Sequence, residues 1–339
     1  MTRISGAVSM RSTRLSLALD SGAIALPETG RIAVLSPQAG DDLSALPKDR
    51  VVVVTGFKPD HDHFNARGFV CATAMPADCV AALVCLPRAK AGARALLAAA
   101  CAALPSGAPV IVDGQKTDGV DSMLKDLRAR VEVGEVVAKA HGRIFAFPAG
   151  AALSDWAAVP HAFDGFQTLP GVFSADGPDR GSEMLAAALP RKLPSRVVDL
   201  GAGWGYLSRR ILQCDGIKEL HLVEADLTAL DCARQNITDP RAHFHWADAT
   251  LWQVPHLAGA VVCNPPFHTG READPALGLA FIRAASRMLA PDGTLWLVAN
   301  RHLPYDPLLR ATFREVEDIG GDGVFRLVRA AYPNRRAGG

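Results

Sequence analysis

The segment Cys263-Asn264-Pro265-Pro266-Phe267-His268 carries residue types that suit an amino group. Each proline fixes its own φ and restrains its predecessor, so the Asn264 side chain and the Pro265 carbonyl can be held as paired acceptors. Phe267 offers a flat face to a planar substrate, with Pro266 and His268 beside it as further candidate substrate contacts, and a core aromatic is the ordinary alternative for Phe267. Taken alone, Asn-Pro-Pro also reads as a turn that ends a strand. Three upstream features give it a chemical context. Asp199-Leu200-Gly201-Ala202-Gly203-Trp204-Gly205 closes an apolar run with glycines that let a ligand lie against the backbone. Glu224 stands 23 residues beyond Gly201, where an acid can accept both hydroxyl protons of a ribose. Asp248 suits an adenine amino group, although a surface carboxylate or a helix cap is its ordinary alternative. Asp199, Gly201, Ala202, Gly203, Glu224, Asp248 and Asn264 form the candidate cofactor set, and Asn264 with Pro265 the candidate catalytic pair.

Positioning such a set requires strands that end at one edge. The second half alternates β-branched runs with helical stretches, the pattern of parallel strands joined by crossover helices. Strands are expected at Arg196–Leu200, Glu219–Val223, His243–Trp246, Ala260–Cys263 and Thr294–Val298. Helices are expected at Tyr206–Gln213, Leu227–Asn236 and Ala276–Leu289. Phe313–Ile319 and Phe325–Ala330, separated by glycines, read as a hairpin-like pair.

The first half repeats this outline. Arg31-Ile-Ala-Val-Leu35 followed by Gly40 parallels Arg196-Val-Val-Asp-Leu200 followed by Gly205, and Val80–Pro87 parallels Ala258–Pro265. In that alignment Asp199 becomes Val34, Gly201 becomes Ser36, Gly203 becomes Gln38, Glu224 faces Thr55 and Asn264 becomes Leu86. Polar candidates vanish while strand residues persist. The expected architecture is α/β with two tandem Rossmann-like domains, over residues 1–155 and 165–339, joined between Pro148 and Gln167.

Composition excludes several function classes. At 339 residues, 49% hydrophobic and 21% charged, the chain can build buried cores and is no disordered tether. With 36 Lys+Arg against 35 Asp+Glu, no global field drives attachment to nucleic acid, so any such contact is a local patch. Candidate patches are Arg191, Lys192 and Arg196; Arg209 and Arg210; and Arg326, Arg329, Arg335 and Arg336. Seven cysteines form no C-x-x-C pair and read mainly as small core hydrophobes. His61-Asp62-His63 is too short and isolated for a metal site, and none is expected. No apolar run approaches the roughly 18 residues of a membrane span, and a cytoplasmic protein is expected.

Together, Asp199-Leu-Gly-Ala-Gly203, Glu224, Asp248 and Asn264-Pro-Pro-Phe267 resemble the motifs of class I S-adenosylmethionine-dependent methyltransferases acting on exocyclic amines. With the duplicated outline, Pro170-Gly-Val-Phe-Ser174 and Asp179-Arg-Gly-Ser182, the chain resembles the ribosomal RNA guanine-N2 methyltransferases of the small-subunit methyltransferase C and large-subunit methyltransferase G type. The resemblance implies a degenerate first copy that supports the fold or positions RNA, and a catalytic second copy. It also implies S-adenosyl-L-methionine as cofactor and ribosomal RNA, chiefly 16S, or a ribosomal subunit as partner. Asp199, Gly201, Gly203, Glu224 and Asp248 would hold the cofactor and Asn264 through Phe267 the guanine. Phe173 and Ser174 are secondary candidates for closing over the cofactor, with a linking turn and a Ser182 helix cap as the alternative. Methylation of adenine N6 or protein glutamine, or a non-catalytic RNA-binding or ribosome-assembly role, stands as the alternative. A nicotinamide oxidoreductase would leave Asn264-Pro-Pro-Phe267 without a purpose.

Overall fold

A computed structural model describes residues 8–266 and 275–334, and the chain divides between Pro160 and His161 into two compact units. The first unit runs α1 (Val8–Asp20), β1 (Arg31–Leu35), β2 (Val51–Val54), α2 (Lys58–Ala66), β3 (Val70–Ala72), β4 (Cys79–Cys85), α3 (Lys90–Ala103), β5 (Pro109–Gln115), α4 (Val120–Arg128), β6 (Val137–Lys139) and β7 (Gly142–Pro148). The second runs β8 (His161–Phe163), β9 (Phe166–Thr168), α5 (Arg180–Ala188), β10 (Arg196–Leu200), α6 (Tyr206–Leu212), β11 (Glu219–Glu224), α7 (Leu227–Asn236), β12 (Ala242–Trp246), β13 (Ala258–Cys263), α8 (Pro275–Met288), β14 (Leu289–Asn300), α9 (Asp306–Thr312), β15 (Phe313–Gly321) and β16 (Phe325–Pro333).

Each unit folds its chain around a seven-stranded sheet, and the strand orders coincide. They are β3-β2-β1-β4-β5-β7-β6 and β12-β11-β10-β13-β14-β16-β15. In both, five strands are parallel and the last two add antiparallel. The expected pair of Rossmann-like sheets is therefore present, and the predicted closing hairpin is β15–β16. Central strands covered by helices on both faces need apolar residues at every position rather than at alternate ones. Ile32 through Leu35 and Val197, Val198 and Leu200 are accordingly buried, with one hydrophobic cluster on each side of each sheet.

Two local features depart from the sequence reading. Residues 36–50 of the first unit hold only a short 3-10 turn, Lys48–Arg50, where the second unit has α6. The stretch between the two periodic halves contains the β8–β9 hairpin, whose Asp164 and Gly165 both take positive φ. Asp-Gly is the turn pair that matches strand twist in a two-residue hairpin, and Phe163 and Phe166 pack across it.

Candidate active site

In the second unit the chain runs from β10 outward to β11 and β12, then returns to β13 on the other side of β10. Such a reversal opens a crevice above the carboxyl ends of β10 and β13. Leu200 pairs with both Val223 and Cys263. The residues that follow these three, Gly201, Glu224 and Asn264, therefore leave the sheet level with one another.

Asp199, at the penultimate position of β10, is fully buried. Its Oδ2 accepts from Ser208 Oγ of α6 at 2.6 Å, while the buried Oδ1 has no hydrogen-bond partner among the described residues. Burial pushes the carboxyl up to about 7, reinforced by the Glu224 charge and opposed by the Ser208 hydrogen bond. Sequence reasoning missed Ser208; a lone small hydroxyl among the buried residues of α6 was its signal.

The glycine turn bends above this carboxylate. Gly201 has φ +79° and Gly203 φ +55°, a left-handed conformation that glycine enters without a steric penalty. Gly201 and Ala202 donate their backbone N–H to Val223 O at 2.9 and 3.1 Å. Among the described residues nothing lies within 4 Å of the point where a Cβ on Gly203 would stand, so that backbone faces open space. Gly203 N donates to Glu224 Oε2 and Asp226 N to Glu224 Oε1, each at 2.8 Å. Burial raises the Glu224 carboxyl above its ordinary value against these two N–H groups. A carboxylate has about four lone-pair sites, so two remain for a diol. Asp248 is two residues past Trp246, the partner of Glu224 on β12. Its Oδ1 accepts from Thr250 N and Oγ1 at 2.8 and 2.7 Å, so it caps a turn at the same edge.

Asn264 Nδ2 donates to Asp179 Oδ2 at 2.9 Å and to Ser182 Oγ at 2.8 Å. Both acceptors stand at the start of α5, where Asp179, not Ser182, is the N-cap and accepts from Ser182 N at 3.0 Å. Pro265 is buried and Pro266 exposed; Phe267 and His268 lie outside the described residues. Trp204 Nε1 donates to Phe173 O at 3.0 Å, which ties the Phe173-Ser174 segment to the glycine turn, and Phe173 itself is 60% exposed. Ser174 also holds a positive φ, and its Oγ donates to Gly177 O.

Most arginines proposed as RNA patches are engaged within the protein. Arg209 lies over the Phe166 ring and donates to Gly165 O and Asn236 O, and Arg210 donates to Ala186 O. Arg326 is buried against Asp306, and Arg329 faces Glu315 and Glu317. Arg191 pairs with Asp215 yet stays largely exposed; Arg335 and Arg336 lie outside the described residues. His245 packs on Trp252 and His221, and burial lowers its pKa to about 4.

Comparisons with known proteins extend this geometry. The family model "Methyltransferase small domain" matches residues 165–329, the span that carries the crevice. A ribosomal RNA small subunit methyltransferase C from Salmonella paratyphi B is 32% identical over 261 residues, 75% of this chain and 76% of the relative. A protein of the same name from Hahella chejuensis is 29% identical over 326 residues, covering 89% and 94% of the two chains. A T. thermophilus 16S rRNA N2 methyltransferase, solved with AdoMet and guanosine, shares the fold with TM-score 0.75 over 95% of this chain and 91% of its own, at 24% identity. A third of the residues kept across three quarters of both chains is descent rather than a shared fold alone. The chain belongs to the ribosomal RNA small subunit methyltransferase C family.

Proposed function

We propose that this protein methylates the exocyclic N2 amine of a guanine in small-subunit ribosomal RNA, with S-adenosylmethionine as methyl donor. The observation that carries the reading is the level exit of Gly201, Glu224 and Asn264 from three adjacent strands, in a member of this family. That arrangement sets the glycine turn and the Glu224 carboxylate at the same sheet edge as the Asn264 amide.

The donor fits the residues present. Open space over Gly203 suits a ligand lying on the backbone, the Glu224 carboxylate suits a ribose diol, and the unpartnered Asp199 Oδ1 suits a cationic or N–H-bearing group. Asp248 completes the set at the adenine end, and Ala202 contributes backbone between the two glycines. When bound, the donor would supply a methyl group on a sulfonium: the methyl carbon is the electrophile, and the sulfur keeps the electrons of the broken C–S bond and leaves as a neutral thioether.

The chain's own residues then have to place a weak nucleophile. The guanine amino lone pair is delocalised into the ring. Asn264 Oδ1 and the Pro265 carbonyl, as acceptors for its two N–H groups, would favour the localised geometry that attacks. As the nitrogen gains positive charge these dipoles interact with it more strongly than in the ground state, which lowers the barrier rather than deepening binding. No general base is needed first, because the proton can pass to solvent after transfer. Pro266, Phe267 and His268 flank the base in this reading.

The first unit holds no donor. Val34 stands where Asp199 does in the second, and buried arginines close the neighbouring edge. It supports the catalytic unit or positions the RNA.

Incubating unmodified 16S RNA and isolated small subunits with radiolabelled donor, then mapping the product, tests the reading. N2-methylguanosine at one position and one donor site per chain by calorimetry are expected. Label on adenine or on protein glutamine would select the corresponding alternative, and absence of any donor binding would select an assembly role.

A further inference from the structure

We infer that Asp179 and Ser182 are positioning residues that decide which end of the Asn264 amide meets the target amine; the inference rests on the proposed role of Asn264. An amide side chain has two ends of nearly equal size, and its last torsion is roughly two-fold. One end donates, the other accepts, and only the accepting end can serve an amine whose own hydrogens must be received. A free asparagine at the edge of a crevice would present either end.

The start of α5 removes that freedom. Asp179 is an acceptor-only carboxylate when ionised, and it stands 2.9 Å from Nδ2; reversing the amide would set an oxygen against it. Ser182 Oγ takes the second Nδ2 hydrogen at 2.8 Å. Two donors meet two acceptors, so the count closes and Oδ1 is the polar end left for an incoming group. Asp179 is itself fixed by Ser182 N at 3.0 Å, so the same helix cap that begins α5 orients the amide. A negative partner on the N–H side also draws electron density toward Oδ1, which strengthens it as an acceptor where positive charge develops.

The helix that precedes the first strand is the element that differs in use between the two units. In the first unit, α1 brings Arg11 and Arg14 to the corresponding sheet edge and forms ion pairs there. Only α5 brings an acceptor pair.

An exchange of the two partners tests the inference in the full-length protein. Asn264→Asp should lower kcat by about 100-fold or more, the scale of removing an oriented dipole at the reacting centre, because two carboxylates then face each other. Adding Asp179→Asn to that variant should recover at least tenfold, since the introduced amide can donate to the introduced carboxylate and leave its other oxygen for the amine. The single Asn264→Asp variant should gain activity as pH falls, because one proton shared by the two carboxylates restores a donor. Ser182→Ala should cost about tenfold in kcat with KM for RNA and donor affinity within about twofold. Donor binding by calorimetry and thermal melts establish that each variant is folded. A folded double variant no more active than Asn264→Asp, or a Ser182→Ala enzyme with unchanged kcat, overturns the inference. Unchanged activity in Asn264→Ala overturns the catalytic reading itself. An inactive Asn264→Ala variant without rescue in the exchange overturns the positioning alone.

Discussion

At the carboxyl edge of the second sheet, Asp199 sits fully buried with one oxygen unpartnered among the described residues; at the same register in the first sheet stands Val34, equally buried. The comparison continues residue by residue. Ser36 N donates to Val54 O as Gly201 N does to Val223 O, and Ser36 keeps a positive φ of 53° although it is no longer glycine. Thr55 follows Val54 as Glu224 follows Val223, and each accepts the N–H two residues on, Thr55 from Phe57 and Glu224 from Asp226. Thr55 keeps this local turn and lacks the second carboxylate oxygen that Glu224 sends to Gly203 N. The N–H at that loop position is satisfied in both units: Gln38 N donates to Asp41 Oδ2 at 2.9 Å.

What replaces the open crevice is an ion network. Asp113 receives Arg11 at 2.7 Å and Arg14 through Nε at 2.7 Å and a second guanidinium nitrogen at 3.0 Å; Arg11 also meets Asp41 at 2.9 Å. Buried polar groups must be satisfied by something. A site reserves part of that capacity for a ligand, whereas the sister unit spends it internally.

Three substitutions break or sharpen this contrast. The largest effect is expected for Asp113→Ala, which leaves two buried guanidinium groups without their common partner and should cost about 3–5 kcal/mol in urea denaturation of the first unit. A smaller loss would mean that the network is not what closes that edge. Asp199→Asn should have the opposite sign. A carboxyl raised to about 7 in the folded protein destabilises it above that pH and not below the ordinary value near 3.8. The variant should therefore gain about 1–4 kcal/mol at pH 8 and nothing at pH 4 in paired melts, while donor affinity falls. In the unaltered protein, affinity for a cationic donor should weaken as pH drops through 7, visible as proton release in calorimetry. The smallest effect is expected for Ser36→Gly. Relief of the left-handed backbone, about 1–2 kcal/mol, is offset by the added chain entropy of glycine, for a net gain of about 0.5–1 kcal/mol. It should create no donor binding.

Much of the second unit was legible as pattern. The runs at Arg196–Leu200 and Ala260–Cys263 read as buried parallel strands because both faces of those strands must be apolar, and the second begins two residues earlier, at Ala258. Correspondence between the halves was legible to within a residue: alignment of Cys85 with Cys263 made Leu86 the counterpart of Asn264. Strand register instead pairs Leu35 with Val84 and Leu200 with Cys263, which puts Cys85 level with Asn264. Backbone hydrogen bonding sets register and is blind to a matching cysteine. The β8–β9 hairpin was missed although Asp164-Gly165 announces it, because its strands of three residues are too short to show a period.

The amino-acid sequence by itself determined the period of each element, the duplicated order of strands, and the chemical types at Asp199, Glu224 and Asn264, since these follow from side-chain alternation and local turn chemistry. Only the tertiary structure decided that Asp199 keeps an orphan oxygen, that Asp179 and Ser182 reach across 85 and 82 residues to orient one amide, and that Arg11 and Arg14 fill the equivalent edge of the sister sheet. Those contacts join residues far apart in the chain, and their energies exist only once packing has excluded water from between them.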